Sequence, residues 1–102
     1  MHAVVNRLPI KPDADWGTLA RNVDALNASV SHPDFRGVSL IRTGESEAII
    51  LVLFTSRAAL DEVSRDVAAP WFAEHMRPHL AGPANRPIGE IIAGALAAKN
   101  LN

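Results

Sequence analysis

Residues Ala48-Ile49-Ile50-Leu51-Val52-Leu53-Phe54 are apolar at every position. The run is far too short to span a bilayer and reads as a strand. A strand covered on one side alternates apolar with polar residues, whereas one without polar positions is expected to be covered on both sides. Whatever this chain folds into must therefore offer cover to two faces of one strand.

The neighbouring segments supply the rest of the pattern. From His2 to Ile10, Val4, Asn6, Leu8 and Ile10 fall on one side and Ala3, Val5, Arg7 and Pro9 on the other, the period of a strand, which Pro12 and Asp13 end. Trp16, Leu19, Val23, Leu26 and Val30 then recur at helical spacing, with Asp13 or Asp15 as N-cap and His32-Pro33 beyond the end. Phe35 to Arg42 alternates again, and Thr43-Gly44-Glu45-Ser46 reads as a hairpin connection into the apolar strand. Thr55-Ser56 offers a cap to a second helix with Leu60, Val63 and Val67 as its stripe. Ala69-Pro70 is expected to interrupt it, Pro70 opening a further helical turn that carries Trp71, Phe72, His75, Met76 and His79 before Pro78 and Gly82-Pro83. Arg86 to Ala93 alternates as a last strand.

The order β-α-β-β-α-β predicts an α+β, ferredoxin-like domain: a four-stranded antiparallel sheet with both helices on one face. This domain is expected over residues 1–94, with 95–102 as a C-terminal tail. The helices cover one face of the apolar strand. The same face of a second subunit is the expected cover for the other, making the chain a homodimer.

Composition narrows the function. There is no cysteine, so thiol catalysis, thiolate-ligated metals and iron–sulfur clusters are excluded. Ten basic and eleven acidic residues leave a net charge of -1, and no basic stripe interleaved with aromatics is present, which argues against a nucleic-acid partner. The N-terminus lacks the pattern of a secretory signal, and no membrane span is expected, so the protein is read as cytoplasmic.

The opening Val4-Val5-Asn6-Arg7-Leu8, the segment His32-Pro33-Asp34-Phe35-Arg36-Gly37, the helix start Thr55-Ser56-Arg57-Ala58-Ala59-Leu60, Pro70-Trp71-Phe72 and His79-Leu80-Ala81-Gly82-Pro83 together resemble the antibiotic biosynthesis monooxygenase (ABM) superfamily of dimeric α+β barrels, over roughly residues 2 to 93. The resemblance implies one of several activities, cofactor-free oxygenation of polycyclic phenols, quinol oxidation or haem degradation, and the family also has members with no known reaction.

Asn6 shares a strand face with Val4, Leu8 and Ile10, so it points toward an apolar environment where it needs a partner. Asn6-Arg7-Leu8 is similar to a strand motif that supplies a pocket asparagine in the haem-degrading branch, which also implies His75 as axial ligand. The chain departs from that branch at Glu62-Val63, where the branch carries a tryptophan, and it has no tyrosine to match members that use one. His75 and His79 stand four apart, a spacing that also suits a metal, but Pro78 disturbs it and no third ligand accompanies them, so no metal is expected.

The leading expectation is a cofactor-free monooxygenase acting on an aromatic, phenolic or quinol-type small molecule, with haem as the alternative cofactor and a non-catalytic binding dimer as the alternative class. The expected chemistry rests on His75, His79 and Asn6, with Arg7 and Arg86 as polar anchors and Phe54, Trp71, Phe72 and Met76 as walls.

Overall fold

A computed structural model describes residues 1–94; the tail expected over 95–102 lies outside the described residues. Strand β1 (His2–Pro9) leads into helix α1 (Trp16–Ser29), followed by β2 (Phe35–Gly44) and β3 (Glu47–Phe54). Helix α2 (Arg57–Val63), a π-helical turn (Ser64–Ala68), α3 (Ala69–His75) and a 3-10 turn (Arg77–His79) precede β4 (Ile88–Glu90). The sheet has the order β2-β3-β1-β4 with antiparallel neighbours throughout, which is the ferredoxin-like arrangement.

Local chemistry sets the helix ends. Asp15 is the N-cap of α1, accepting from the Gly17 N–H at 3.0 Å and from the Thr18 hydroxyl at 2.9 Å. These bonds, the Thr18 hydroxyl first, favour the charged carboxylate and lower its pKa. Ser56 caps α2 by accepting from Ala59 N–H at 3.1 Å. Behind it, the Thr55 hydroxyl donates to Asp34 at 2.6 Å and the Ser56 hydroxyl donates at 3.2 Å, tying the entry to β2 to the exit from β3.

The helices cover one face of the sheet. Leu8, Ala48 and Ile50 from the strands and Ile10 just beyond β1 pack with Leu19, Val23 and Leu26 of α1 and with Met76, while Val4 and Phe54 pack with Ala59, Leu60 and Val63 of α2. Burying the valine, leucine, isoleucine, phenylalanine and methionine side chains among these contributes about 1.5–3 kcal/mol each relative to exposure, before the entropy of ordering is counted. Trp16 lies half-buried at the edge of the core, with the Arg42 guanidinium 4.3 Å above its ring. On the opposite face Val5, Ile49, Leu51 and Leu53 are only half-buried and Ile41 is 42 % exposed, so β3 is apolar on a side that no helix covers.

Pro70 does not interrupt the second helix. The chain runs helically from Arg57 to His75 because the π turn widens it just ahead of the proline, with Ala69 N–H bonding to Ser64 O, five residues back. A proline lacks an N–H and its ring presses on the carbonyl four residues earlier in a regular helix. The widened turn relieves both constraints by carrying one residue more than an α-turn. The same extra residue rotates Val67, expected on the buried stripe, to 39 % exposure.

The last strand is shorter than Arg86 to Ala93, its regular part being Ile88–Glu90. Pro87 has no N–H to give to a ladder. The pairing with β1 nevertheless continues upstream through Val5 N–H to Pro87 O at 3.0 Å and Arg7 N–H to Asn85 O at 2.7 Å. Ile92, expected within the strand, is 80 % exposed beyond it.

Candidate functional site: a cavity between sheet and helices

Between the covered face of the sheet and the helices lies a cavity of about 270 Å³. Its floor is Val4, Asn6, Ile50, Val52 and Phe54, from alternate positions of β1 and β3. Leu26 of α1 and Val30 just past its end form one wall, and Val63, Trp71 and Phe72 of the second helical segment form the other. Phe35 closes one end, its ring tilted against Phe54 with centroids 5.5 Å apart. The π turn borders the space through Ser64 and Ala68. Small-molecule pockets usually run from about 300 Å³ upward and are mostly apolar with a few placed polar groups, so this cavity suits a compact ligand.

Asn6 is the polar group on that floor. It is 7 % exposed and is the buried polar residue of the described core. Its main chain pairs with Ile50, but its carboxamide makes no hydrogen bond among the described residues. Neither carboxamide atom is sealed away from space, which aims the group at the cavity it lines. A buried amide held without a protein partner costs about 1–3 kcal/mol, a cost that a hydrogen-bonding ligand offsets.

Arg86 stands opposite Asn6. Arg7 pairs with Asn85 and Val4 with Ile88, and this register places Arg86 across from Asn6 on the same face of the sheet. Both residues line the cavity, as does Arg77 from the 3-10 turn that follows α3. Arg77 escaped the sequence reading because nothing local marks it; the fold alone brings the end of that helix to the mouth of the space.

Asn6, Arg86, Phe54, Trp71 and Phe72 of the expected site residues come together here. The others do not. Arg7 points to the opposite face, as alternation from Asn6 requires, and borders a shallow groove with Glu47 and Ile49. Met76 is fully buried and belongs to the core between β1 and α1. His75 lies behind Trp71, ring centroids 6.3 Å apart, with its side chain 44 % exposed and its Nε2 3.8 Å from Glu74. His79 sits in the 3-10 turn, where Pro78 breaks the helical spacing, and its carbonyl accepts from Lys11 N–H at 2.9 Å. The two imidazoles therefore do not share a helix face or border the cavity.

The lining residues do not fit haem. Among the described residues, none bordering the cavity offers an imidazole, thioether, thiolate or phenolate for an axial position. No group of three or more His, Asp or Glu side chains forms a metal-binding arrangement among the described residues. No helix among them is long and apolar enough to cross a membrane.

No family model matches the chain, and no curated protein matches it in sequence. Solved structures do. A Caulobacter crescentus protein bearing the antibiotic biosynthesis monooxygenase name is 25% identical, with TM-score 0.73 over 90% of each chain. SnoaB from Streptomyces nogalater, a cofactor-independent oxygenase, is 16% identical with TM-score 0.69, covering 91% of this chain and 94% of its own. MhuD from Mycobacterium tuberculosis, a haem degrader with two haems bound in its active site, is 19% identical with TM-score 0.68, covering 92% of this chain and 98% of its own. With TM-scores of 0.68 to 0.73 and near-complete coverage of each chain, these neighbours share its architecture, and this chain has the ferredoxin-like α+β fold of the antibiotic biosynthesis monooxygenase superfamily.

Proposed function

We propose that the protein is a cofactor-free monooxygenase that takes a phenolic or quinol-type aromatic molecule into the cavity above Asn6. The observation that carries this reading is the Asn6 carboxamide, 7 % exposed, without a protein hydrogen bond, on the floor of an aromatic-walled space. A phenolate or enolate oxygen is the complement of that amide N–H, and a donor set in advance stabilises the charge that develops there. Trp71, Phe72 and Phe54 sandwich the ring and keep water from it. The fold shared with SnoaB, itself a cofactor-independent oxygenase, supports the same chemistry.

The reaction balances without a reductant. The substrate anion donates electrons to dioxygen, a C–O bond forms, and the resulting hydroperoxide loses water to leave a carbonyl; the carbon supplies every electron that dioxygen takes. The proton leaves before that step. No His, Asp or Glu borders the cavity among the described residues, so the substrate is expected to ionise toward solvent, its anion held by Asn6 and Arg86.

That missing base favours a second reading, a non-catalytic binding protein on the same fold. Oxygen uptake with hydroquinones, naphthalenediols and anthrone as substrates decides between them. Uptake that falls in Asn6→Ala supports the oxygenase, whereas calorimetric binding of these compounds with no oxygen consumed supports the binding protein.

The proposal includes a homodimer, located in the cytoplasm as the cysteine-free composition permits. Val5, Ile49, Leu51, Leu53 and Ile41 form an apolar sheet face without helical cover, and the same face of a second copy meets it with matching chemistry.

A further inference from the structure

We propose that the ligand of this cavity is an aromatic acid, with its ring between the aromatic walls and its carboxylate drawn to Arg77 and Arg86. The inference rests on the reading of the cavity as a ligand site and adds the charge of what enters it.

Most arginines of the described chain are engaged. Arg57 and Arg65 pair with Asp61 and Asp66, Arg21 reaches Thr18, Arg36 donates to Pro33 O, and Arg42 donates to Gly44 O while covering Trp16. Arg77 and Arg86 differ from these. Neither guanidinium has an ion pair or hydrogen bond among the described residues, and both border the same cavity. They arrive from separate elements, one from the turn closing the helical segment and the other from the stretch preceding β4.

The cavity holds no carboxylate of its own to neutralise them. Two positive charges beside an apolar, partly enclosed space create a potential that favours an anion, and a carboxylate carries its charge at neutral pH whereas a phenol must first lose a proton. Guanidinium forks match a carboxylate through paired, charge-assisted hydrogen bonds. Arg77 also lies where a cation complements a helix C-terminus, a role that would leave ligand selectivity untouched.

Titration calorimetry of the full chain with 2-naphthoate and with its neutral isostere 2-naphthamide tests the proposal. Naphthoate is expected to bind at least about tenfold more tightly, the scale of one good charge-assisted contact. That ratio is expected to collapse toward one in the Arg77→Gln/Arg86→Gln double variant, and added salt is expected to weaken naphthoate alone. Equal binding of the two ligands by the unaltered protein, or a preference that survives in the double variant, overturns the aromatic-acid proposal and leaves the cavity as a ligand site. If neither ligand binds, the cavity reading fails and the acid proposal fails with it. Thermal melts of the variants confirm that the exposed arginines were not holding the fold.

Discussion

Asn6 and Arg86 face each other across the pairing of the first and last strands, and both side chains reach the cavity. They sit where the two main chains do not exchange hydrogen bonds, the positions at which facing side chains of an antiparallel pair come closest. A neutral donor and a cation are thereby set side by side on an otherwise apolar floor.

Asn6→Ala is expected to lower oxygen uptake or ligand affinity by about tenfold or more without loss of stability, since no protein partner is stranded. An asparagine bonded to the protein would behave in the opposite way, leaving a partner stranded on truncation. Urea unfolding beside the activity assay separates the cases. A large loss of stability with unchanged binding would return Asn6 to a structural role.

His75→Ala and His79→Ala are expected to keep ligand affinity within about threefold of the parent, since neither imidazole borders the cavity. His75 touches it only through Trp71. A haemin titration makes the same point: no Soret shift that depends on His75 is expected. A saturable shift abolished in His75→Ala would mean that the helix end rearranges around haem.

Met76→Ala is expected to cost about 2–5 kcal/mol, the usual range for a fully buried large apolar side chain, whereas Met76→Leu should cost less than about 1.5 kcal/mol. Binding by the folded leucine variant should match the parent. Denaturant midpoints and calorimetry on both variants check this.

Asp34 carries a pH prediction. The hydrogen bond from the Thr55 hydroxyl, followed by that from Ser56, holds its pKa below the usual aspartate value. The folded state therefore binds this proton less readily than the unfolded state. The stabilisation is complete above the unfolded pKa of about 3.9 and is lost as pH falls through the lower folded value. Asp34→Asn is expected to lower the melting temperature at pH 7, with the difference from the parent shrinking as pH drops below about 4. Parallel melting curves at all pH values would refute it.

Leu51→Asp is expected to give a folded monomer. Leu51 lies at the centre of the uncovered sheet face and outside both core clusters, so a charge there disrupts face-to-face packing without entering the protomer's core. Light scattering coupled to size exclusion should show the parent at twice the mass of the variant. A parent that runs as a monomer at micromolar concentration would remove the dimer from the proposal.

The sequence by itself determined the order of strands and helices and which side of the first strand and first helix is buried. Periods of two and of about 3.6 are written in neighbouring residues such as Val4, Asn6 and Leu8, or Leu19, Val23 and Leu26, and they need no distant information. Alternation was enough to turn Asn6 inward, and the same alternation turned Arg7 away. Only the tertiary structure decided that the helix passes Pro70 through a π turn, that Val67 faces out, and that His75, His79 and Met76 stand clear of the cavity while Arg77 borders it. Those outcomes depend on a widened turn of one extra residue and on how strands far apart in sequence align. Register and helix phase are long-range quantities: a shift of one residue moves every later side chain to another face, and no local spacing records it.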